Sequence, residues 1–412
     1  MSFRLVLWCQ VPCCCLALST ICPAAGNESL LGGLSLKSAS LPRVAYIANN
    51  PAPYRIPVFN AVGASPDFDF HVLFSTEREP TRSWDLAEMT FGHTYMKPFF
   101  LTKGETFMHA NPDVWSRLRS IKPSMIVLAG FNPTNLMAFV YGVLHGCKLG
   151  LLIDGTDDTE ARLSHWHRWV RRLVYPRLSV AMGPSKGTFR LFASYGVKSD
   201  AMFKSHLCAN NQAFEVRAAC RAPDVDLIFC GRFTSEKHPL FALDVAEQLA
   251  AHLQREVSIL MVGGGPQDEL LRRHAATLRG VRVEFAGFAR QNELPEHYAR
   301  ARVCLFPSAG DAWGVVANEA CASGVPVVVS PHAGVVGDLI EDGVTGYVRD
   351  LDLGLWSRAC ADLLIDDVLY HRLSMACQTR VRDYTFENAA HGLMEGIRYA
   401  LLADCNKGVR SP

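Results

Sequence analysis

The 412 residues carry no excess charge of either sign, since 41 lysines and arginines face 40 aspartates and glutamates for a formal net charge of +1. Proteins that grip the phosphate backbone of nucleic acids ordinarily show a strong basic excess, so that partner is not expected. The chain also lacks a CxxC pair and any Cys/His cluster at zinc-ligand spacing, although it has 14 cysteines. Five of these crowd into the first 22 residues, and the rest scatter from Cys147 to Cys405. Cys230 and Cys304 lie in apolar runs, where a free thiol packs as a small hydrophobe. The expectation is a reduced, cytoplasmic body with no disulfide framework. No GxGxxG follows the first strand of either half, which argues against a nicotinamide-dependent dehydrogenase.

What is present suits two packed domains. Residues are 49% apolar and 20% charged, and the length exceeds one ordinary domain. The first 40 residues stand apart. Leu5 to Ala25 is apolar behind Arg4 and ends in Pro23-Ala24-Ala25-Gly26, which resembles a signal-peptide cleavage site. A short anchor, or a translation start just before Leu41-Pro42-Arg43, are the competing readings.

From there, short apolar runs alternate with helical patterns. Strands are predicted at Arg43–Ala48, Phe68–Phe74, Ser124–Ala129, Lys148–Ile153 and Leu178–Met182, and helices at 56–64, 134–145 and 158–173. Residues 80–110 have no usable period. After a predicted linker at 212–224 the alternation restarts. Strands are expected at Val225–Cys230, Val257–Val262, Val281–Phe285, Val303–Phe306 and Val325–Ser330, the last closing the series. Helices are expected at 238–252, 267–278, 294–301 and 314–322. The fold class is α/β, with two doubly wound sheets and ligand at the carboxyl ends of the strands. The predicted division is 1–40 as extension, 41–215 and 216–385 as the two domains, and 386–412 as a helix returning to the first.

Three segments of the second half have the chemistry of diphosphate and sugar recognition. In Phe229-Cys-Gly231-Arg232-Phe-Thr-Ser-Glu-Lys237 a strand runs into a glycine turn, then an arginine fork and a lysine. Gly263-Gly264-Gly265-Pro266 ends the next strand, where backbone can approach a ligand and the following helix start can receive an anion. Asp311-Ala-Trp313-Gly314-Val315 leads into a helix that carries Glu319, eight positions beyond the first acid. Glu319 has Val316, Ala320 and Ala322 around it, so its carboxylate needs a partner. Each segment alone fits an ordinary tight turn, a solvated cation or a surface acid as readily as a site.

Taken in order, residues 226–350 resemble the family 4 retaining glycosyltransferases of GT-B fold. The matching features are Arg232 with Lys237, Gly263 to Gly265, Phe285-Ala-Gly287, Asp311-x7-Glu319, and the trailing Gly334…Gly346 segment. The resemblance implies that Arg232 and Lys237 bind the donor diphosphate, Asp311 positions the donor sugar and Glu319 holds the ribose. Gly231, Gly263, Gly264, Gly265, Gly287, Trp313, Gly314 and Val315 would then line the donor site. The first acid is Asp where the family more often has Glu, so it is one methylene shorter.

The first half matches less well. Asn50-Pro-Ala-Pro-Tyr54-Arg55 resembles a loop of bacterial polysaccharide-building members, and Asp154 lies near a position where many relatives carry histidine. Tyr54, Arg55 and Asp154 are the acceptor-side candidates. At 160–177, Leu163, Trp166, Val170 and Leu173 recur at helical spacing among several arginines. That pattern fits a core-packing helix with a solvated basic face, or a helix lying on an anionic membrane. The implied activity is transfer of a hexose-type sugar from a UDP- or GDP-type donor to a glycan, lipid-linked glycan or glycolipid, without a metal or other cofactor. The implied location is the cytoplasm or the inner face of its membrane. A sugar-nucleotide epimerase and a non-catalytic sugar-nucleotide-binding subunit are the alternatives.

Overall fold

The computed structural model describes residues 40–78, 86–103 and 106–402. The signal-like or late-start reading of the first 40 residues lies almost wholly outside them, as does the end of the C-terminal segment.

The first half comprises β1 (Arg43–Ala48), α1 (Ile56–Gly63), β2 (Asp69–Phe74), β3 (Gly92–Tyr95), β4 (Phe100–Lys103), β5 (Thr106–His109), α2 (Val114–Ile121), β6 (Met125–Leu128) and α3 (Pro133–His145). It continues with β7 (Lys148–Leu152), α4 (Asp157–Ala161), α5 (His165–Val174), β8 (Val180–Gly183), α6 (Lys186–Ser194) and β9 (Met202–Lys204). Seven parallel strands form one sheet in the order β3-β2-β1-β6-β7-β8-β9, and β4–β5 is a separate antiparallel hairpin. β1 and β6 are buried almost throughout because helices cover both faces of a parallel sheet. Strand order reverses between β1 and β6, which opens a crevice at their carboxyl ends.

The second half contains α7 (Asn211–Ala219), β10 (Val225–Cys230), α8 (Pro239–Leu253), β11 (Val257–Val262), α9 (Asp268–Ala275), β12 (Val281–Gly287), α10 (Leu294–Ala299) and β13 (Ala301–Phe306). Then come α11 (Val315–Ala322), β14 (Val327–Val329), β15 (Gly346–Val348), α12 (Leu353–Ile365), α13 (Asp367–Val381) and α14 (Phe386–Leu402). Its six-stranded sheet has the order β12-β11-β10-β13-β14-β15, so the reversal falls between β10 and β13. The two segments that hold Arg232 and Asp311 leave the sheet at this switch point. α14 returns to the first sheet. Its Ala389, Leu393 and Ile397 join the core of Val180 and Met182, and Gly392 lets the Lys204 carbonyl approach to where a Cβ would stand only 1.7 Å away. Two Rossmann-like domains and a returning helix make this the GT-B architecture.

Three local expectations are corrected, and one stretch left without an expectation proves to be strand. The helix expected over 158–173 is two helices, because Ser164 takes an extended conformation (ψ 159) and restarts the chain as the N-cap of α5. The expected linker at 212–224 is mostly α7, begun by the Asn210 side chain accepting from Ala213 N. Residues 325–330 do not close the sheet, since only Val327–Val329 is strand and β15 adds to its outer edge. The segment 92–95, left without a period, extends the first sheet beside β2. All eight described cysteines are free.

Candidate active site

The site starts from two glycine turns that pack on each other. Gly231 follows β10 at φ +155, and Gly263 follows β11 at φ +140 with its missing Cβ only 1.9 Å from the Gly231 carbonyl oxygen. Gly265, at φ +156, has its missing Cβ 2.7 Å from the Phe233 carbonyl oxygen. Any side chain at 263 or 265 would separate the turns, so these two glycines shape the loops, and Gly263 and Gly264 both border the cavity.

Those turns open a cavity of about 270 Å³ whose walls include Gly231, Arg232, Gly263, Gly264, Val315, Val316 and Glu319. Pro53 and Tyr54 enter from the first half. The wall beyond β12 is formed by residues 288–291 and Leu294, which sequence reasoning missed. The Phe285-Ala-Gly287 signal ended just short of them.

Lys237 closes a short 3₁₀ turn and is followed by His238 at φ +50, a left-handed residue that aims the chain into Pro239 and α8. Its Nζ donates to Asp311 Oδ2 at 2.7 Å and to Ser308 Oγ at 3.3 Å. The other Asp311 oxygen accepts from Trp313 N at 3.3 Å. Both carboxylate oxygens are thus engaged in this state.

Trp313, expected at the donor, is fully buried instead, and its Nε1 donates to Asn318 Oδ1 at 2.8 Å. The side chain anchors the loop from inside the core. Gly314 (φ +103) lies against the Phe306 ring, where a Cβ would come within 2.4 Å. Gly287 also takes a positive φ, +74, and turns the chain out of β12 without lining the cavity.

Glu319 lies one turn into α11 and is 5% exposed. The partner that its apolar setting demanded is Tyr298 of α10, whose hydroxyl donates to Oε2 at 2.9 Å. Burial pushes the Glu319 carboxyl up to about 7, against the opposing pull of that hydrogen bond. Cys230, beside them, is pushed up to about 12 by burial and by the charge of Glu319.

On the first-half side, Arg55 Nη2 donates to Asp154 Oδ1 at 2.9 Å, joining the loops after β1 and β7. Arg55 is buried, and its Nη1 has no hydrogen-bond partner among the described residues. Desolvation raises the Asp154 pKa, Arg55 lowers it, and the charge of Asp311 across the crevice raises it again. The domains are tied beside the crevice by Arg162 Nη1, which donates to the Ala309 carbonyl, and by Lys186 N, which donates to Asp338 Oδ2, each at 2.8 Å.

Of the two readings of the 160–177 segment, core packing fails for the aromatic side chains. Trp166 is 66% exposed and Trp169 50%, and their rings stack with centroids 5.0 Å apart. Leu173 is also exposed, and Val174 is the one buried residue of α5. Arg171 turns inward, pairing with Glu160 at 2.9 Å and covering the Phe131 ring. Among the described residues no acid pairs with Arg168 or Arg172, no helix is long and apolar enough to cross a membrane, and no group of three or more His, Cys, Asp or Glu side chains is placed to hold a metal ion.

The fold and crevice define a GT-B architecture with a recess of about 270 Å³ built mainly from the second domain. Solved structures with the same fold include the Anabaena protein HepE in complex with UDP and glucose (TM-score 0.66, 14% identity, 86% of this chain and 99% of that one). Sucrose-phosphate synthase from Thermosynechococcus elongatus is another (TM-score 0.64, 16% identity, 88% and 100%). Curated relatives include the D-inositol 3-phosphate glycosyltransferases of Corynebacterium efficiens, 32% identical over 189 residues, and Nocardia farcinica, 31% identical over 204. These alignments cover 44% and 45% of this chain and 44% of each relative, so the chain matches less than half of their length. The family model for glycosyl transferases group 1 matches residues 224–366. Within the second half, residues 224–366 are thus similar to a glycosyl transferases group 1 domain.

Proposed function

We propose that this protein is a retaining glycosyltransferase that moves a hexose-type sugar from a UDP- or GDP-type donor to a hydroxyl of a glycan, lipid-linked glycan or glycolipid. One observation carries the reading: Arg232, the Gly263–Gly264 turn and Glu319 meet in one cavity, with the Lys237–Asp311 pair beside it. HepE, of the same fold, binds UDP and glucose, which supports a UDP-type donor.

In this scheme the bond between the anomeric carbon and the diphosphate oxygen breaks and its electron pair leaves with the nucleotide, while the acceptor hydroxyl oxygen bonds to the anomeric carbon and its proton passes to the departing diphosphate. Arg232, Lys237 and the free N–H groups of the first turn of α11 neutralise the developing charge without a metal ion. Asp311 positions the sugar hydroxyls and Glu319 the ribose diol. The acceptor enters from the first domain past Tyr54, Arg55 and Asp154, the last near where many relatives carry a histidine. Approach of the two domains excludes water. Retention is carried over from the family resemblance. The proposed setting is peripheral, at the inner face of the cytoplasmic membrane, with Trp166, Trp169, Arg168 and Arg172 of α5 against anionic lipid.

A thermal-shift panel of UDP-, GDP- and ADP-sugars tests the donor assignment. A ligand at about a hundredfold its Kd adds about 3 kcal/mol to the folded state, a rise of several degrees in Tm. The expected result is one responding nucleotide class and loss of the shift in Glu319→Ala. No shift with any class contradicts the reading.

A further inference from the structure

Behind the Glu319 wall of the cavity stands a buried residue that belongs to none of the sequence motifs. Tyr298 lies in α10, 21 positions before Glu319, and is fully buried. Its ring packs edge-on against Phe214 of α7 with centroids 5.8 Å apart, so the phenol has little freedom to turn. The hydroxyl is delivered to Oε2 of Glu319. Among the described residues no other group hydrogen-bonds that carboxylate, and the side chain forms part of the cavity wall.

We propose that Tyr298 is a positioning residue for nucleotide recognition: by holding Oε2 it presents the other oxygen of Glu319 to the ribose diol of the bound nucleotide. The inference rests on the donor reading given above and adds a residue and a specificity to it. A carboxylate with one oxygen fixed offers the ribose a pre-oriented acceptor. A carboxylate free to rotate in a dry pocket would have to be ordered on each binding event.

The same geometry has a pH consequence. The ionisable groups nearest the carboxyl are Tyr298 itself and the thiols of Cys230 and Cys304, all of them neutral near pH 7 because burial raises their pKa values. On the cavity walls the cations are Arg232 and Arg290. The Tyr298 hydrogen bond opposes the effect of burial on Glu319, so its loss must extend the protonated form to higher pH.

The test measures binding of UDP and 2′-deoxy-UDP to the full chain by titration calorimetry between pH 5.5 and 8.5, for wild type, Tyr298→Phe and Glu319→Gln. If wild type prefers GDP or ADP, that nucleotide and its 2′-deoxy form are used. Wild type should prefer the ribonucleotide by about tenfold, the size expected of a hydrogen bond to a charged group. Tyr298→Phe should lose most of that preference while binding the deoxy compound as wild type does, and its affinity–pH midpoint should move upward. Glu319→Gln should show a reduced preference and no such midpoint. Equal discrimination and an equal midpoint in wild type and Tyr298→Phe would overturn the role of Tyr298 and leave the donor reading standing. Failure of all three nucleoside diphosphates to bind wild type would overturn both. A Tyr298→Phe chain that melts well below wild type and binds neither compound would mark Tyr298 as structural and overturn its recognition role.

Discussion

Lys237 and Asp311, 74 positions apart, are joined by a 2.7 Å ion pair that links the exit loops of β10 and β13 at the switch point of the second sheet. One ammonium group thus pairs with an acid of the site and is also the cation that the leaving diphosphate would require. Asp311→Asn removes the competing negative charge. The expected outcome is tighter nucleoside diphosphate binding, by roughly threefold to tenfold, from the loss of a charged partner. Sugar transfer should fall by about a hundredfold or more, as when a transition-state contact is removed. Calorimetry and steady-state rates on the same preparation check both halves.

Glu319 makes the stability of the protein depend on pH. Its carboxyl titrates at about 7 when folded against an ordinary 4.5, so the folded state holds a proton that the unfolded chain has already released between those values. The contribution is favourable at low pH and is lost as pH rises through 7. Glu319→Gln should therefore gain stability relative to wild type as pH goes from 5 to 8, by up to about 3 kcal/mol. Melting curves at each pH measure it. A constant difference across the range would show that the carboxyl is not buried as described.

The Arg55–Asp154 pair predicts a non-additive mutant cycle. Arg55→Met leaves a poorly solvated carboxylate without its cation and should cost about 1–3 kcal/mol, below the roughly 3–5 kcal/mol of a fully buried pair because Asp154 is partly exposed. Adding Asp154→Asn should recover a substantial part of that loss. Denaturant unfolding of the two single variants and the double variant reads the coupling, and additive losses would contradict it.

Lipid binding through α5 predicts co-sedimentation with vesicles containing phosphatidylglycerol and much weaker association with purely zwitterionic ones. Arg168→Gln and Arg172→Gln should each weaken it by about fivefold, near 1 kcal/mol per cation. Trp166→Ser/Trp169→Ser should abolish it with little change in Tm, since both rings are at least half exposed. Binding that ignores salt and lipid charge would remove the electrostatic part of the proposal.

The parts of this molecule legible in its sequence are those encoded locally. Gly231, Gly263 and Glu319 each follow directly from an apolar strand or sit on a short helix, so their neighbourhood announces them. Tyr298 was not legible, because its meaning comes from a carboxylate on another helix. Trp313 was misread for a related reason: a tryptophan between Asp311 and Gly314 looks exposed until Asn318 is seen to bond its indole from within. Helical spacing in α5 correctly grouped Trp166 with Leu173 but could not say which face meets the sheet. That orientation is set by Val174 and by the Arg171–Glu160 pair, whose members lie in different helices. The wall at 288–291 has no periodic or motif signal, and only the cavity reveals it.

The central claim is that the second-domain cavity binds a nucleotide sugar and that Lys237 helps its diphosphate leave. Release of nucleoside diphosphate from UDP-, GDP- and ADP-hexoses, with and without a mixed glycan and glycolipid acceptor pool, addresses it directly in wild type and Lys237→Ala. The account predicts acceptor-stimulated release from one donor class by wild type and loss of about a hundredfold or more in Lys237→Ala. Saturable nucleotide-sugar binding with no release under any acceptor, or equal rates in the two proteins, would contradict it.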